Sequence, residues 1–192
     1  MHEIFRIGHF WSHIPGYETR GQCNKCYVTE DMNHILTICK ASPVSQIWAI
    51  AQETWPNINI GIILAGGSIT TPEEEDPTQN ENESDDEENQ EWAKRRSEKK
   101  GKDRLLQILI SESAHLIWVL RCEQVINTCS HTTTEIQTRW LKAINARLTD
   151  NKIIATKIHC GKTSAKLVKS TWVKALQKHS WYPGTGYTSE RF

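Results

Sequence analysis

The sequence predicts a mainly α-helical protein, and three observations support this class. Four cysteine and histidine residues lie in one short window near the N-terminus. A strongly charged stretch follows, and beyond it apolar residues recur at helical spacing. Together these patterns predict a small zinc-stapled N-terminal module (1–66), a disordered charged linker (67–103), a three-helix C-terminal domain (104–182) and a frayed tail (183–192).

The first element is the segment that contains Cys23, Cys26, His34 and Cys39, spaced C-x2-C-x7-H-x4-C. Structural zinc sites fill four tetrahedral positions with thiolates and imidazoles. The C-x2-C turn places two thiolates on one side of the metal, and the His/Cys pair closes the other. The spacing therefore predicts one structural Zn²⁺ ion. The alternative interpretation is a redox-active or unpaired C-x-x-C with a solvated histidine.

The spacing of the second ligand pair also predicts a local distortion. An ideal helix places residues five apart roughly 140° apart around its axis. We therefore expect the helix that begins at His34 to end or tighten before Cys39. Glu30 and Asp31 are expected to be surface charges rather than ligands. The two histidines at positions 9 and 13 lack an intervening glutamate, so they are expected to be packing or surface residues.

Helical periodicity continues after this segment. Apolar residues at helix spacing predict a helix over 44–55, which Pro56 ends. The run 58–65 is interpreted as irregular. Three further helices are expected over about 104–127, 134–149 and from Ser164 onward. The first of these is apolar nearly all round, which is typical of a central core helix. Most of the eight tryptophans are expected to anchor the core.

The stretch 67–103 has a different composition. Residues 73–91 carry 11 acidic and no basic side chains, whereas residues 92–192 carry 19 basic and 7 acidic ones. Little in the stretch can be buried, so burial cannot offset the chain entropy and we expect disorder. The basic second half suits a polyanion, and the acidic segment could screen it.

The N-terminal motif resembles a known family. Gly8-His9-Phe10-Trp11, then C-x2-C, then Glu30-Asp31-Met32-Asn33-His34-Ile35-Leu36-Thr37-Ile38-Cys39 and Ile47-Trp48, is similar to the zinc-binding region of fungal non-LTR retrotransposon polyproteins. That family reads roughly G-H-aromatic, C-x2-C, E-S-x-x-H-I-L-x-x-C and I-W. Here Glu30-Asp31 replaces the E-S pair. The stretch 110–118 resembles the helical tail of these proteins. The resemblance implies a region that follows reverse transcriptase and ribonuclease H domains.

Catalytic patterns are not visible in the sequence. Gly161-Lys162-Thr163 lacks the earlier glycine of a phosphate-binding loop. Upstream of the zinc motif only Glu3 and Glu18 are acidic, which does not supply the carboxylate cluster of a ribonuclease H. Asp85-Asp86 lies in a low-complexity run rather than between apolar strands. The sequence therefore predicts a protein that is not an enzyme.

The favoured function is a structural-zinc, nucleic-acid-binding module derived from a retrotransposon. RNA or DNA is the expected partner, besides a retrotransposon-derived or host protein. The basic residues expected to contact phosphates are Lys94, Arg95, Arg96, Lys99, Lys100, Lys102, Arg139, Lys142, Lys166 and Lys169. We expect an intracellular protein, nuclear or cytoplasmic, with no membrane contact because no run of 18 apolar residues occurs. The alternative is a protein-interaction scaffold with a basic helical face and an autoinhibitory acidic segment.

Overall fold

The computed structural model describes residues 6–40, 42–55, 86–157 and 161–178. These residues are mostly helical and none of them belongs to a strand, which confirms the predicted class. Short helical turns come first, followed by longer helices. The turns are 3-10 helices at Gly8–His13 and Glu18–Gly21 and a π-helix at His34–Ile38; the α-helices are α1 (Ser42–Thr54), α2 (Asp86–Ile126), α3 (Thr133–Lys157) and α4 (Gly161–Lys178).

The helices predicted from periodicity are confirmed, although their bounds differ. Helix α1 begins two residues earlier than expected, and α3 continues past Asp150-Asn151 to Lys157. Asn151 is buried there and holds the helix, because its side-chain amide donates to the Arg147 carbonyl (2.8 Å) and accepts from Arg104. The irregular run predicted at 58–65 and the frayed tail at 183–192 lie outside the described residues.

The linker prediction is wrong for residues 86–103, which form the first turns of α2. The composition was read as disorder, but lysine, arginine, glutamate, glutamine and alanine are all good helix formers. Acidic residues in its first turn also suit the helix dipole. Glu91 lies 3.9 Å from Lys94 Nζ and 3.6 Å from Arg95 Nε, at i+3 and i+4 spacing. Residues 67–85 lie outside the described residues.

The chain forms two compact units that divide it differently from the predicted domains. The first comprises residues 1–66 and 110–140, and the second comprises residues 67–109 and 141–192. Helices α2 and α3 therefore contribute to both units. The N-terminal residues share their unit with the second half of α2, whereas the sequence assigned that half to a separate helical domain.

The first unit buries an apolar core that includes two tryptophans whose indole N–H groups are hydrogen-bonded. Trp48 Nε1 donates to the Leu36 carbonyl (2.7 Å), and Trp140 Nε1 donates to Ser113 Oγ (2.9 Å). Both indoles are buried, as predicted for core anchors. Other buried apolar residues described in this unit are Ile7, Cys23, Ile35, Leu36, Val44, Ile47, Ala51, Ile110, Leu116, Ile117, Leu120 and Ile136.

The second unit contains a close crossing of two helices. A Cβ on Gly101 of α2 would lie 2.6 Å from the Ser170 carbonyl carbon of α4. The absent side chain at Gly101 therefore lets the two backbones touch. Buried apolar residues of this unit are Leu105, Leu106, Leu109, Ile144, Leu148, Val168, Trp172 and Ala175.

One helical stretch, within Gln90–Ile126, is long and apolar enough to cross a membrane by length and composition alone. The core helix of a globular protein meets the same criterion, and 44% of the apolar window is buried. Leu105, Leu109 and Ile117 are among its fully buried residues. The absence of membrane contact stays a prediction.

Candidate metal centre

The first ligand pair lies on a tight chain reversal. The Cys23 N–H donates to the Val28 carbonyl (2.9 Å), and the Tyr27 N–H donates to the Cys23 carbonyl (2.8 Å). Tyr27 takes a positive φ of 58°, which turns the chain directly after Cys26. An isolated antiparallel bridge between Gln22 and Thr29 closes the loop.

The second pair lies at the two ends of the π-helical turn. Asp31 Oδ1 accepts from the His34 N–H (2.6 Å), and the Cys39 N–H donates to the His34 carbonyl (2.8 Å). This i to i+5 bond brings residues five apart onto the same side of the turn. The helix ends at Ile38, as expected, but it widens where the sequence allowed for tightening.

The four side chains converge on one point. Each offers a ligand atom, and these atoms lie within 4.8 Å of one another. Cys23 Sγ and Cys39 Sγ are 3.6 Å apart, close to the roughly 3.8 Å that follows from tetrahedral Zn–S bonds of about 2.3 Å. His34 Nε2 is buried and finds no hydrogen-bond partner among the described residues. The predicted residues therefore lie close enough to hold a metal ion.

The electrostatics of the turn favour the thiolate form of Cys26. The Lys40 backbone N–H donates to Cys26 Sγ (3.4 Å) and lowers the pKa of that thiol. Hydrogen bonding to Cys23 and Cys39 and the Lys40 charge add to this, and they outweigh the partial burial that raises the pKa. The thiolate is the form that binds metals.

Glu30 is not the surface charge that the sequence predicts. Its side chain is only 5% exposed and forms an ion pair with Arg121 of α2, whose side chain is 11% exposed. The Arg121 guanidinium lies over the Trp118 ring, 5.8 Å from its centroid. Burial lowers the pKa of Arg121, against the opposing effects of Cys122 and Cys23. The ion pair therefore connects Glu30, which lies between the two ligand pairs in the sequence, to helix α2 within the first unit.

Glu30 and Arg121 are the important residues that the sequence interpretation missed. They are 91 positions apart, so no local pattern connects them. Asp31, by contrast, is exposed as predicted, yet it caps the turn that carries His34. An acidic residue three positions before a helical N–H is a signal that could have indicated this cap.

Gly8 and Gly21 bring three backbone segments together beside the segment that carries the metal ligands, residues 23–39, which we call the knuckle. Gly8 has a φ of +53°, and a Cβ there would lie 2.3 Å from the Glu30 carbonyl oxygen. A Cβ on Gly21 would lie 2.4 Å from the Gly8 carbonyl oxygen. Side chains are therefore excluded at both positions, which gives the glycine of the G-H-aromatic pattern a physical reason.

The ten predicted phosphate contacts do not share one location. Arg139 belongs to the first unit, where it forms a bidentate ion pair with Glu123 (2.7 and 2.8 Å). Its charge is therefore already compensated. The other nine belong to the second unit, on α2, α3 and α4. Of these, Lys94, Arg95, Arg96, Lys100, Lys142, Lys166 and Lys169 are exposed, and Lys99 and Lys102 are half-buried.

An ionic cluster surrounds Glu123 at the junction of α2 and α3. His131 lies with Nε2 3.0 Å from Glu123 and Nδ1 3.0 Å from Glu135. The hydrogen bonds from Arg139 lower the pKa of Glu123, helped by the charges of Arg139 and His131 and opposed by partial burial. The same hydrogen bonds raise the pKa of Arg139, with the Glu123 and Glu135 charges adding to the effect against desolvation.

His9 and His13 are exposed, as predicted, and lie outside the group of four metal-ligating side chains.

Comparison of the chain with protein-family models, curated proteins and solved structures gave no match. The resemblance to the non-LTR retrotransposon region therefore stays a prediction carried by the motif residues.

Proposed function

We propose that the chain is a non-catalytic, retrotransposon-derived module in which one structural zinc ion stabilises a nucleic-acid-binding protein. The convergence of Cys23, Cys26, His34 and Cys39 supports the metal part of this proposal. Three thiolates and one imidazole form a donor set suited to zinc. The ion would cross-link the two turns. It would not catalyse a reaction, because protein ligands would fill all four coordination positions.

The nucleic-acid part is supported by where the basic residues lie. Lys100 and Lys102 flank Gly101, and Lys169 precedes Ser170, so all three lie within one residue of the α2–α4 crossing. The crossing thus brings the backbone of Lys169 near those of Lys100 and Lys102, which are far away in the sequence. Lysines on helical surfaces suit phosphate oxygens and position a nucleic acid without reading its sequence.

Salt titration of nucleic-acid binding tests the proposal. Affinity for RNA or DNA should fall linearly with salt on a double-logarithmic plot, because bound phosphates release counterions. The Lys169→Gln variant should reduce that slope by about 1. Lys25→Gln is the matched control, since Lys25 is also exposed but is not among the ten residues expected to contact phosphates. Absence of binding at low salt would contradict the proposal.

The second candidate, an interaction scaffold, is favoured by the pairing of Glu91 with Lys94 and Arg95. Here the acidic segment would cover the chain's own basic residues. Deletion of residues 73–85, which leaves α2 intact, should then raise affinity for an added polyanion. Unchanged affinity would show that the segment does not compete.

A further inference from the structure

Three aromatic rings and two arginines form a contact cluster at the 3-10 turns of the first unit. Phe10 and Trp11 meet edge to face with ring centroids 5.3 Å apart, and Trp11 and Tyr17 are 6.2 Å apart. The Arg20 guanidinium lies 4.5 Å from the Tyr17 centroid and 5.4 Å from the Trp11 centroid. Arg6 lies 5.7 Å from the Phe10 centroid. We call these five residues the aromatic cluster.

The cluster is open to solvent on part of its surface. Phe10 is 39% exposed and Tyr17 is 45% exposed, although both contact the Trp11 ring. The Trp11 Nε1 donates to the Arg6 carbonyl (2.7 Å), which holds the central indole in place. The rings are thus preorganised without being covered.

The two cations of the cluster are Arg6 and Arg20. Within the described part of the chain, neither of them forms an ion pair. Each guanidinium instead lies over an aromatic ring. Exposed rings therefore lie beside guanidinium groups that no described acid pairs with.

We propose that the aromatic cluster binds single-stranded nucleic acid, with unpaired bases stacking on Tyr17 and Phe10 and phosphates contacting Arg20 and Arg6. This inference rests on the proposed function and adds a second surface to it. Sequence-tolerant single-strand sites combine aromatic platforms with cations in this way. A duplex hides its base faces, so it cannot use the rings. An acidic peptide would be attracted by the arginines but has no base to stack.

The experiment measures anisotropy of a fluorescein-labelled oligouridine and of its duplex with oligoadenosine, using the zinc-loaded full chain. Tyr17→Ala should weaken oligouridine binding roughly 5- to 150-fold, the range expected for loss of one stacked base. Tyr17→Phe retains the ring and should bind as the parent does. Ile126→Ala is the control, because Ile126 is a 55% exposed apolar side chain that lies outside the aromatic cluster. None of these changes should alter duplex binding.

Each remaining outcome overturns the inference in a recognisable way. If single-strand and duplex binding are both present but unaffected by Tyr17→Ala, the helices alone bind nucleic acid and the proposed function survives. If Ile126→Ala weakens binding as much as Tyr17→Ala, the effect is not specific to the aromatic cluster. If polyglutamate displaces the labelled oligouridine as effectively as unlabelled oligouridine does, the surface binds polyanions in general and does not recognise bases. If no nucleic acid binds, the proposed function fails as well.

Discussion

At position 8 the backbone leaves no room for a side chain. We predict that Gly8→Ala destabilises the first unit, because the new Cβ would meet the Glu30 carbonyl oxygen at 2.3 Å and φ is positive. Gly16→Ala is the matched control, since Gly16 also has a positive φ but nothing lies within 4 Å of its Cβ position. Gly16→Ala should lower the free energy of unfolding by about 1–2 kcal/mol, and Gly8→Ala should lower it by more. Equal losses for the two variants, measured by urea denaturation, would contradict the close approach at Gly8.

The Glu123 carboxylate should make stability depend on pH in the acid range. Its pKa is lowered in the folded chain from its ordinary value of 4.5, so the unfolded chain binds the proton more tightly. The stabilisation is present above that ordinary value and is lost as pH falls through the folded pKa. Thermal unfolding of Glu123→Gln across this range should lack this component.

The size of the effect is modest, because the Glu123 and Arg139 side chains are partly solvated. At neutral pH, Glu123→Gln should cost about 1 kcal/mol or less. Metal release at low pH would affect both proteins, so the difference between their curves is the informative quantity. Parallel curves would show that the ion pair contributes nothing measurable.

The four ligand residues can be predicted from the sequence, whereas the residues that support them cannot. Cys23, Cys26, His34 and Cys39 follow from spacing and ligand chemistry, since all four fall in one window. The π-helical turn could not be foreseen, because it depends on which hydrogen bond the Cys39 N–H forms.

The contact between the knuckle and helix α2 includes a buried ion pair. We predict that Arg121→Met lowers the free energy of unfolding by about 3–5 kcal/mol, because Glu30 is left charged and buried. Replacing both residues, as Glu30→Leu with Arg121→Met, should cost less than the sum of the single changes. Strict additivity in a double-mutant cycle would contradict a direct pair.

Helix α2 contains a glycine, Gly101, whose replacement tests the packing of α2 on α4. In an exposed helix interior, glycine to alanine stabilises by about 1 kcal/mol. We expect Gly101→Ala to destabilise instead, because the Cβ would lie 2.6 Å from the Ser170 carbonyl carbon. Gln107→Ala, at an exposed position of the same helix, should change stability little. A stabilising Gly101→Ala would show that this part of the chain does not pack on α4.

The elements show what periodicity can and cannot predict. Helices α1, α3 and α4 follow from apolar spacing that the structure buries, as at Ile47, Trp140 and Trp172. The start of α2 has almost no apolar face, so it was interpreted as a linker. Its helix depends on intrinsic propensity, on the pairing of Glu91 with Arg95 and on the contact at Gly101 with a helix about 70 residues away.

For the whole molecule, the pairing of chain segments is the part that the sequence did not reveal. The N-terminal residues belong to one compact unit with residues 110–140. Because Glu30 and Arg121 connect these segments, metal binding should stabilise the helices of that unit as well as the knuckle. Chelation should therefore reduce the protection of backbone amides in 110–126 from hydrogen exchange. Protection that is unchanged after metal removal would contradict this coupling.

The most direct test of the central claim is the metal content of the full chain purified without added zinc, measured beside two variants. The four-ligand site predicts about one zinc ion per chain. Cys39→Ala should lose it together with the ordered structure of the first unit. Cys129→Ala, which removes an exposed cysteine outside the group of four, should retain it. A well-folded parent protein without metal, or a Cys39→Ala variant that keeps its zinc, would contradict the assignment.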